Sequence, residues 1–295
     1  MLEELGFIYN EYGIKDAVFY FFYQLELWFK LRPFNQRKRA EREKRIEKLY
    51  SIISAFKNGI IEINGEKYIA QKLEPSNQSI IKLRMNSSDT KVFAQVILKQ
   101  EYKSVIEIYN QFFFTPAKLI VDCGANIGLA SIYFFQHFPN ASFMAIEPFK
   151  ENVAMIRLNF EGCGLFHYTI LEGGVWNKDT DLFINREFRD REEWSIALSE
   201  SGDGKIIKGY SLAKLIEKTA EAIDILKIDI EGAEVKLFES NDYAKRFLKK
   251  VKCVVIEIHD EFGIRNNIYE LLKENGFFYY NTNELTIGIQ RNYIY

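Results

Sequence analysis

Cysteine, histidine and proline are scarce, with three, three and five in 295 residues. Cys123, Cys163 and Cys253 form no C-x-x-C pair, so neither a disulfide framework nor a cysteine–histidine zinc site is expected. Few prolines and 17 glycines exclude collagen-like and proline-rich chains. No run of 18 apolar residues occurs, so an ordinary membrane-spanning helix is not expected. The formal net charge of −2 gives no chain-wide basic field, so no nucleic-acid partner is expected. The first residues, Met1-Leu2-Glu3-Glu4, are acidic where a signal peptide is basic, and the expected location is the cytoplasm.

Aromatic residues are abundant, with 25 Phe and 17 Tyr, enough to fill a large core. The length suggests two domains, or one large domain with an extension. Residues 1–58 read as a helical extension. Its first 34 residues hold 11 aromatics, and the segment from 30 to 48 carries nine basic and three acidic residues. That local +6 leaves −8 for the rest of the chain. Two readings fit this extension. It is an interfacial anchor for an anionic membrane, peripheral at the inner face; or it is a helix packed on the core or on a second copy in a homo-oligomer.

Residues 59–110 read as a small β-rich lead-in followed by a connecting helix from about Lys91 to Asn110. Asn64-Gly65 is a hairpin signal, and Pro75-Ser76-Asn77 a second turn. From 111 to 295 the pattern is strand, turn, helix, repeated. Strands are expected at Lys118–Asp122, Ser142–Ile146, His167–Leu171, Ala222–Asp229 and Val251–Ile258, with helices between them. A final hairpin, Phe277–Asn281 with Leu285–Gln290, follows. The fold class is therefore α/β, a mostly parallel sheet with helices on both faces and an antiparallel last strand.

Four segments carry candidate chemistry. Asp122-Cys123-Gly124-Ala125-Asn126-Ile127-Gly128 follows a strand and opens a helix, where glycines let a ligand approach the backbone. It is not the G-x-G-x-x-G dinucleotide loop, because Asn126 and Leu129 stand where glycines are needed, and it is no P-loop. Asp122 would repel a diphosphate and suits a ligand bearing an amine. Glu147 ends the next strand 19 residues after Gly128, where such units bind ribose hydroxyls. Together they fit S-adenosylmethionine. The segment Lys227-Ile228-Asp229-Ile230-Glu231-Gly232-Ala233-Glu234 places three acids at a strand-to-helix turn. Asp229 and Glu231 are candidates there for proton transfer, and Asp229 alternatively for a divalent metal; Glu231 and Glu234 alternatively cap the next helix. Lastly, Glu257 and His259 end a strand on one side of it, near Asp229, which makes His259 a second candidate base.

These pieces resemble the FkbM family of S-adenosylmethionine-dependent methyltransferases. The resemblance runs from about Lys82 to Gln290, roughly 70% of the chain, through VDCGANIG (121–128), AIEPFKENVAMIRLN (145–159), GGVWNKDTDLFI (173–184), LKIDIEGAEVKLF (226–238) and VVIEIH (254–259). It implies the class I methyltransferase (Rossmann-like) fold with seven strands, the last reversed. It also implies cofactor contacts at Asp122, Gly124, Ala125, Asn126, Gly128 and Glu147, with Pro148 and Phe149 by the ribose and adenine, and Gly174 and Val175 by the adenine. The implied activity is O-methylation of a sugar or other small-molecule or glycan hydroxyl. Residues 185–210 read as irregular and specific to this chain, and form the expected acceptor wall. There Trp194 would stack on a sugar, with Ser195 beside it, and Arg186, Arg189 and Arg191 would meet a diphosphate. The competing readings are a degenerate, non-catalytic cofactor-binding module and an NAD-dependent oxidoreductase.

Overall fold

The computed structural model describes residues 4–6, 8, 14–29, 59–73, 79–85, 87–185 and 197–294. The basic segment 30–48 and the second turn at 75–77 lie outside the described residues. The chain divides into two compact units, Met1–Ala94 and Gln95–Tyr295.

In the first unit, helix α1 (Ile14–Phe29) buries Ala17 and Tyr20 against Ile8. Among the described residues no helix is long and apolar enough to cross a membrane. Three antiparallel strands follow: β1 (Ile60–Ile63), β2 (Glu66–Lys72) and β3 (Ile80–Arg84). The hairpin expected at Asn64-Gly65 joins β1 to β2. Both turn residues are left-handed, with φ of 53° and 84°, the geometry whose twist matches the flanking strands. Strand β3 alternates, burying Ile81 and Leu83. Its last residue, Arg84, forks onto the buried carboxylate of Asp89 at 2.7 and 2.9 Å, which fixes the start of α2 (Asp89–Phe93).

The single connecting helix expected over Lys91–Asn110 is not formed. A π-helical turn, Ala94–Leu98, follows α2, and Gln100 then takes φ 53° before α3 (Lys103–Phe112) begins. The break turns Tyr102 inward, where its buried ring meets Phe134 at 5.3 Å between centroids. Packing of one aromatic ring outweighs the weak propensity for a continuous helix.

The second unit is built on β4 (Leu119–Cys123), α4 (Leu129–His137), β5 (Ser142–Glu147), α5 (Lys150–Cys163) and β6 (Tyr168–Glu172). Then come β11 (Ile223–Ile228), β12 (Val251–Glu257), α9 (Arg265–Glu274) and the hairpin β13 (Phe277–Thr282) and β14 (Leu285–Gln290). The sheet order is β13-β14-β12-β11-β4-β5-β6. Strands β12, β11, β4, β5 and β6 are parallel, and β14 runs against β12. This is the expected seven-stranded class I methyltransferase arrangement. Chain order reverses at β4, so the carboxyl ends of β4 and β11 border the crevice where such sheets take ligands.

A second sheet of four strands follows β6, and its last two strands come from the stretch expected to be irregular. It contains β7 (Gly174–Trp176), β8 (Thr180–Asn185), β9 (Ala197–Ser199) and β10 (Lys205–Ser211), in the order β7-β10-β8-β9. The sequence of β10 is mostly charged and small. Register with β8 is what lets Ile207 be buried beside Trp176, Leu182 and Ile184. After β10 the chain enters α6 (Leu212–Glu217). Beyond β11 it forms α7 (Glu234–Leu237) and α8 (Asn241–Leu248), the latter capped by Ser240.

Strand β11 is buried throughout yet carries two charges, one at each end. At its start, Asp224 accepts from the Tyr109 hydroxyl (3.0 Å), the Lys118 and Leu119 amides (2.8 and 3.0 Å) and the Lys252 ammonium (2.7 Å). Asp224→Ala should strand these donors and lower stability by about 3 kcal/mol in urea denaturation. Asp224→Asn, which keeps an acceptor, should cost less.

Candidate active site

The loop after β4 is shaped by residues that tolerate left-handed backbone: Gly124 (φ 78°), Asn126 (51°) and Gly128 (84°). Gly124 is also required by space, since a Cβ there would lie 1.7 Å from the carbonyl oxygen of Asp229. Four of the loop's amides are engaged within the protein. Gly124 and Ala125 donate to the Ile146 carbonyl (3.0 and 3.1 Å), Asn126 to Glu147 Oε2 (2.8 Å) and Gly128 to the Ala125 carbonyl (2.8 Å). The loop is thus braced on the end of β5 rather than presenting a ring of open donors to a phosphate.

Asp122 is fully buried, and its carboxylate is held from two sides. Ser131 donates to Oδ2 at 2.7 Å, and the ammonium of Lys227 stands 3.2 Å from Oδ1. The sequence reading turned Asp122 toward a ligand amine; within the chain it meets the ammonium of Lys227. Lys227 Nζ also donates to the Gly124 carbonyl (2.7 Å) and lies 3.3 Å from Asp229 Oδ2. Burial opposes the lysine's charge, but the carboxylates of Asp122 and Asp229 outweigh it and hold its pKa well above the ordinary value. Sequence reading gave Lys227 no role. Its signal was there, a lone cation inside an expected strand, which must be paired to be buried.

Glu147 sits at the tip of β5, almost wholly buried. It accepts from the amides of Asn126 and Phe149 and from Asn152 Nδ2, at 2.8, 3.2 and 3.0 Å. Burial pushes its pKa up to about 7 against the pull of these donors. Pro148 and Phe149 follow it, half-buried, and Phe149 packs on the Trp176 cluster of the second sheet. Gly174 and Val175 are buried in β7, beside the point where the Gly173 amide donates to the Glu147 carbonyl (2.9 Å). The expected acceptor-side residues Arg186, Arg189, Arg191, Trp194 and Ser195 lie outside the described residues.

The ends of β11 and β12 bring Asp229, Glu231, Glu234, Glu257 and His259 together. His259 Nε2 is 3.4 Å from Glu231 Oε2, and its Nδ1 is 3.3 Å from Glu234 Oε1. Glu234 is buried and also accepts from the Ile230 amide (3.0 Å). Burial works against the imidazolium, but hydrogen bonds to Glu231 and Glu234 overcome it and raise the His259 pKa to about 10. Both ring nitrogens of His259 thus face carboxylates. Glu257 is pushed up to about 8, first by burial and then by the charge of Asp229, partly offset by His259. Glu101 is raised by burial and by Asp229, with Gln95 bonding it at 2.7 Å and opposing the rise. Glu101 was not foreseen; it follows the broken helix, and only the tertiary fold brings it here. The Asp229 side chain remains 25% exposed, a carboxylate that can still meet a ligand.

The family model for the methyltransferase FkbM domain matches residues 122–279, just over half of the chain. The chain is 27% identical over 227 residues to Methyltransferase sdnD of Sordaria araneosa, covering 64% of this chain and 83% of that one. It is 23% identical over 220 residues to Methyltransferase 1 of Beauveria bassiana, covering 65% and 87%. A solved structure of an FkbM methyltransferase from Methylobacillus flagellatus aligns with a TM-score of 0.39 and 15% identity, over 68% of this chain and 54% of that one.

Gly124→Ala should force the two loops apart. The expected loss is about 2 kcal/mol or more in chemical denaturation, and an unchanged midpoint would show that the contact yields freely. The raised pKa of Glu147 fixes a sign. Its contribution to stability is complete below the ordinary value of 4.5 and is lost as pH rises through about 7. Denaturation across that range should show the wild type losing stability relative to Glu147→Gln.

Proposed function

The chain belongs to the FkbM methyltransferase family, and from that premise we propose that it uses S-adenosylmethionine to methylate an acceptor oxygen, with Asp229 as proton acceptor. The observation that carries the reading is the line Asp122–Lys227–Asp229 at the point where chain order reverses. The fit to the cofactor rests on the donors and acceptors present. Glu147 Oε2 accepts only one hydrogen bond among the described contacts, so it retains capacity for a ribose hydroxyl. The partly exposed carboxyl of Asp229 borders the neighbouring crevice and suits a cation. The engaged amides of the 124–128 loop disfavour a dinucleotide diphosphate.

The cofactor, when bound, supplies an activated methyl group on a positive sulfur. Gly124, Ala125, Asn126 and Gly128 shape the wall it lies against, and Glu147 orients its ribose. Lys227 fixes Asp229 in place, and Asp229 takes the proton from the acceptor hydroxyl as its oxygen attacks. This role falls to Asp229 because both ring nitrogens of His259 are lined by carboxylates and Asp229 is the more exposed group. The acceptor class is a sugar or other small-molecule or glycan hydroxyl, since clustered carboxylates recognise hydroxyl groups as hydrogen-bond acceptors. The site works in the cytoplasm, and the N-terminal helices serve as an anchor or as a contact with a second copy.

Isothermal titration should show S-adenosylmethionine binding in the micromolar range and no NAD binding. Glu147→Ala should weaken the cofactor about tenfold or more. Asp229→Asn should bind it nearly as well as wild type while turnover with an accepted substrate falls by about 10²–10⁴. Tight NAD binding, or full turnover in Asp229→Asn, would sink the proposal.

A further inference from the structure

One carboxylate oxygen each from Asp229 and Glu231 and one ring nitrogen of His259 lie within 4.8 Å of one another. We propose that these three side chains form a binding site for a divalent transition-metal ion at the carboxyl ends of β11 and β12. The donor geometry is close to what an ion needs. Two ligands each about 2.1 Å from a tetrahedral ion stand about 3.4 Å apart, and His259 Nε2 and Glu231 Oε2 are separated by 3.4 Å.

A second, independent feature distinguishes the arrangement from a chance group of acids. Metal-bound histidines characteristically give their other ring nitrogen to a carboxylate, which fixes the ring and its tautomer. Glu234 is such a carboxylate. Its side chain is 1% exposed, it is pinned by the Ile230 amide (3.0 Å), and it faces His259 Nδ1 (3.3 Å). Nε2 is thereby aimed at Glu231 and the crevice, where a bound ion takes the place of the Nε2 proton while Nδ1–H stays on Glu234. Lys227 is committed to Asp122, to the Gly124 carbonyl and to Asp229 Oδ2. The Asp229 and Glu231 side chains are 25% and 29% exposed, which leaves a path for an ion to enter.

The donor set selects the ion. Two carboxylates with one imidazole suit Mn²⁺, Fe²⁺, Co²⁺ or Zn²⁺, whereas an imidazole ligand disfavours Ca²⁺ and Mg²⁺. The functional consequence rests on the methyl-transfer reading. An ion held at Asp229 lowers the pKa of an acceptor hydroxyl bound to it, the same task that Asp229 performs unaided as a proton acceptor.

The test uses the full chain without cofactor, so its outcome does not depend on methyl transfer. Titration of Mn²⁺, followed by loss of the free-ion electron paramagnetic resonance signal, should give one ion per chain, and Zn²⁺ should compete for it. Glu231→Gln and His259→Gln should each weaken Mn²⁺ about tenfold or more. Glu234→Gln should weaken it less, as a positioning residue. Glu239→Gln, which removes an exposed acid bonded to Asn177, should leave it unchanged. Titration of S-adenosylmethionine into Glu231→Gln should match wild type, separating loss of metal from loss of the cofactor site. Should a variant fail to fold, the wild type supplies the second measurement, a rise in melting temperature with added Mn²⁺ or Zn²⁺. No ion bound at millimolar concentration, or equal affinity in Glu231→Gln and His259→Gln, would overturn the site.

Discussion

The ammonium of Lys227 is the constraint on which the site depends. A buried charge costs several kcal/mol unless its surroundings return that energy, and here Asp122, the Gly124 carbonyl and Asp229 do so. These partners belong to two chain segments that are distant in sequence. The lysine therefore locks the loop after β4 to the loop after β11. The same contact explains the absence of a side chain at Gly124, since the Asp229 carbonyl fills the space a Cβ needs.

From this lock the rest of the site follows by strand order. Parallel strands place their carboxyl ends together, so Cys123, Glu147, Asp229 and Glu257 with His259 reach one edge of the sheet. Close packing of acids at that edge divides them by environment. Glu147 and Glu257 are driven toward neutrality by burial. Asp229 is more exposed and lies 3.3 Å from the Lys227 ammonium. His259 stands between Glu231 and Glu234, 3.4 and 3.3 Å from their carboxylates.

Much of this was legible in the sequence because it is local. A buried strand, a loop of Gly and Asn, a helix, and an acid at the next strand end are short-range patterns fixed by backbone sterics and burial. The hairpin at Asn64-Gly65 and the reversed last strand were legible for the same reason. The break at Gln100, the strands of the second sheet and the place of Glu101 were not. Each depends on a partner far along the chain: Phe134 for Tyr102, β8 for β10, Asp229 for Glu101.

The sequence by itself determined the α/β class, the order of the site segments and the kinds of residue that carry the chemistry, because propensity and periodicity act over a few residues. Only the tertiary structure decided how those residues are charged and paired. Asp122 meets the ammonium of Lys227, burial pushes the pKa of Glu147 up, and His259 is flanked by two carboxylates. Desolvation and Coulomb interactions depend on distances across strands, and no linear spacing contains those distances.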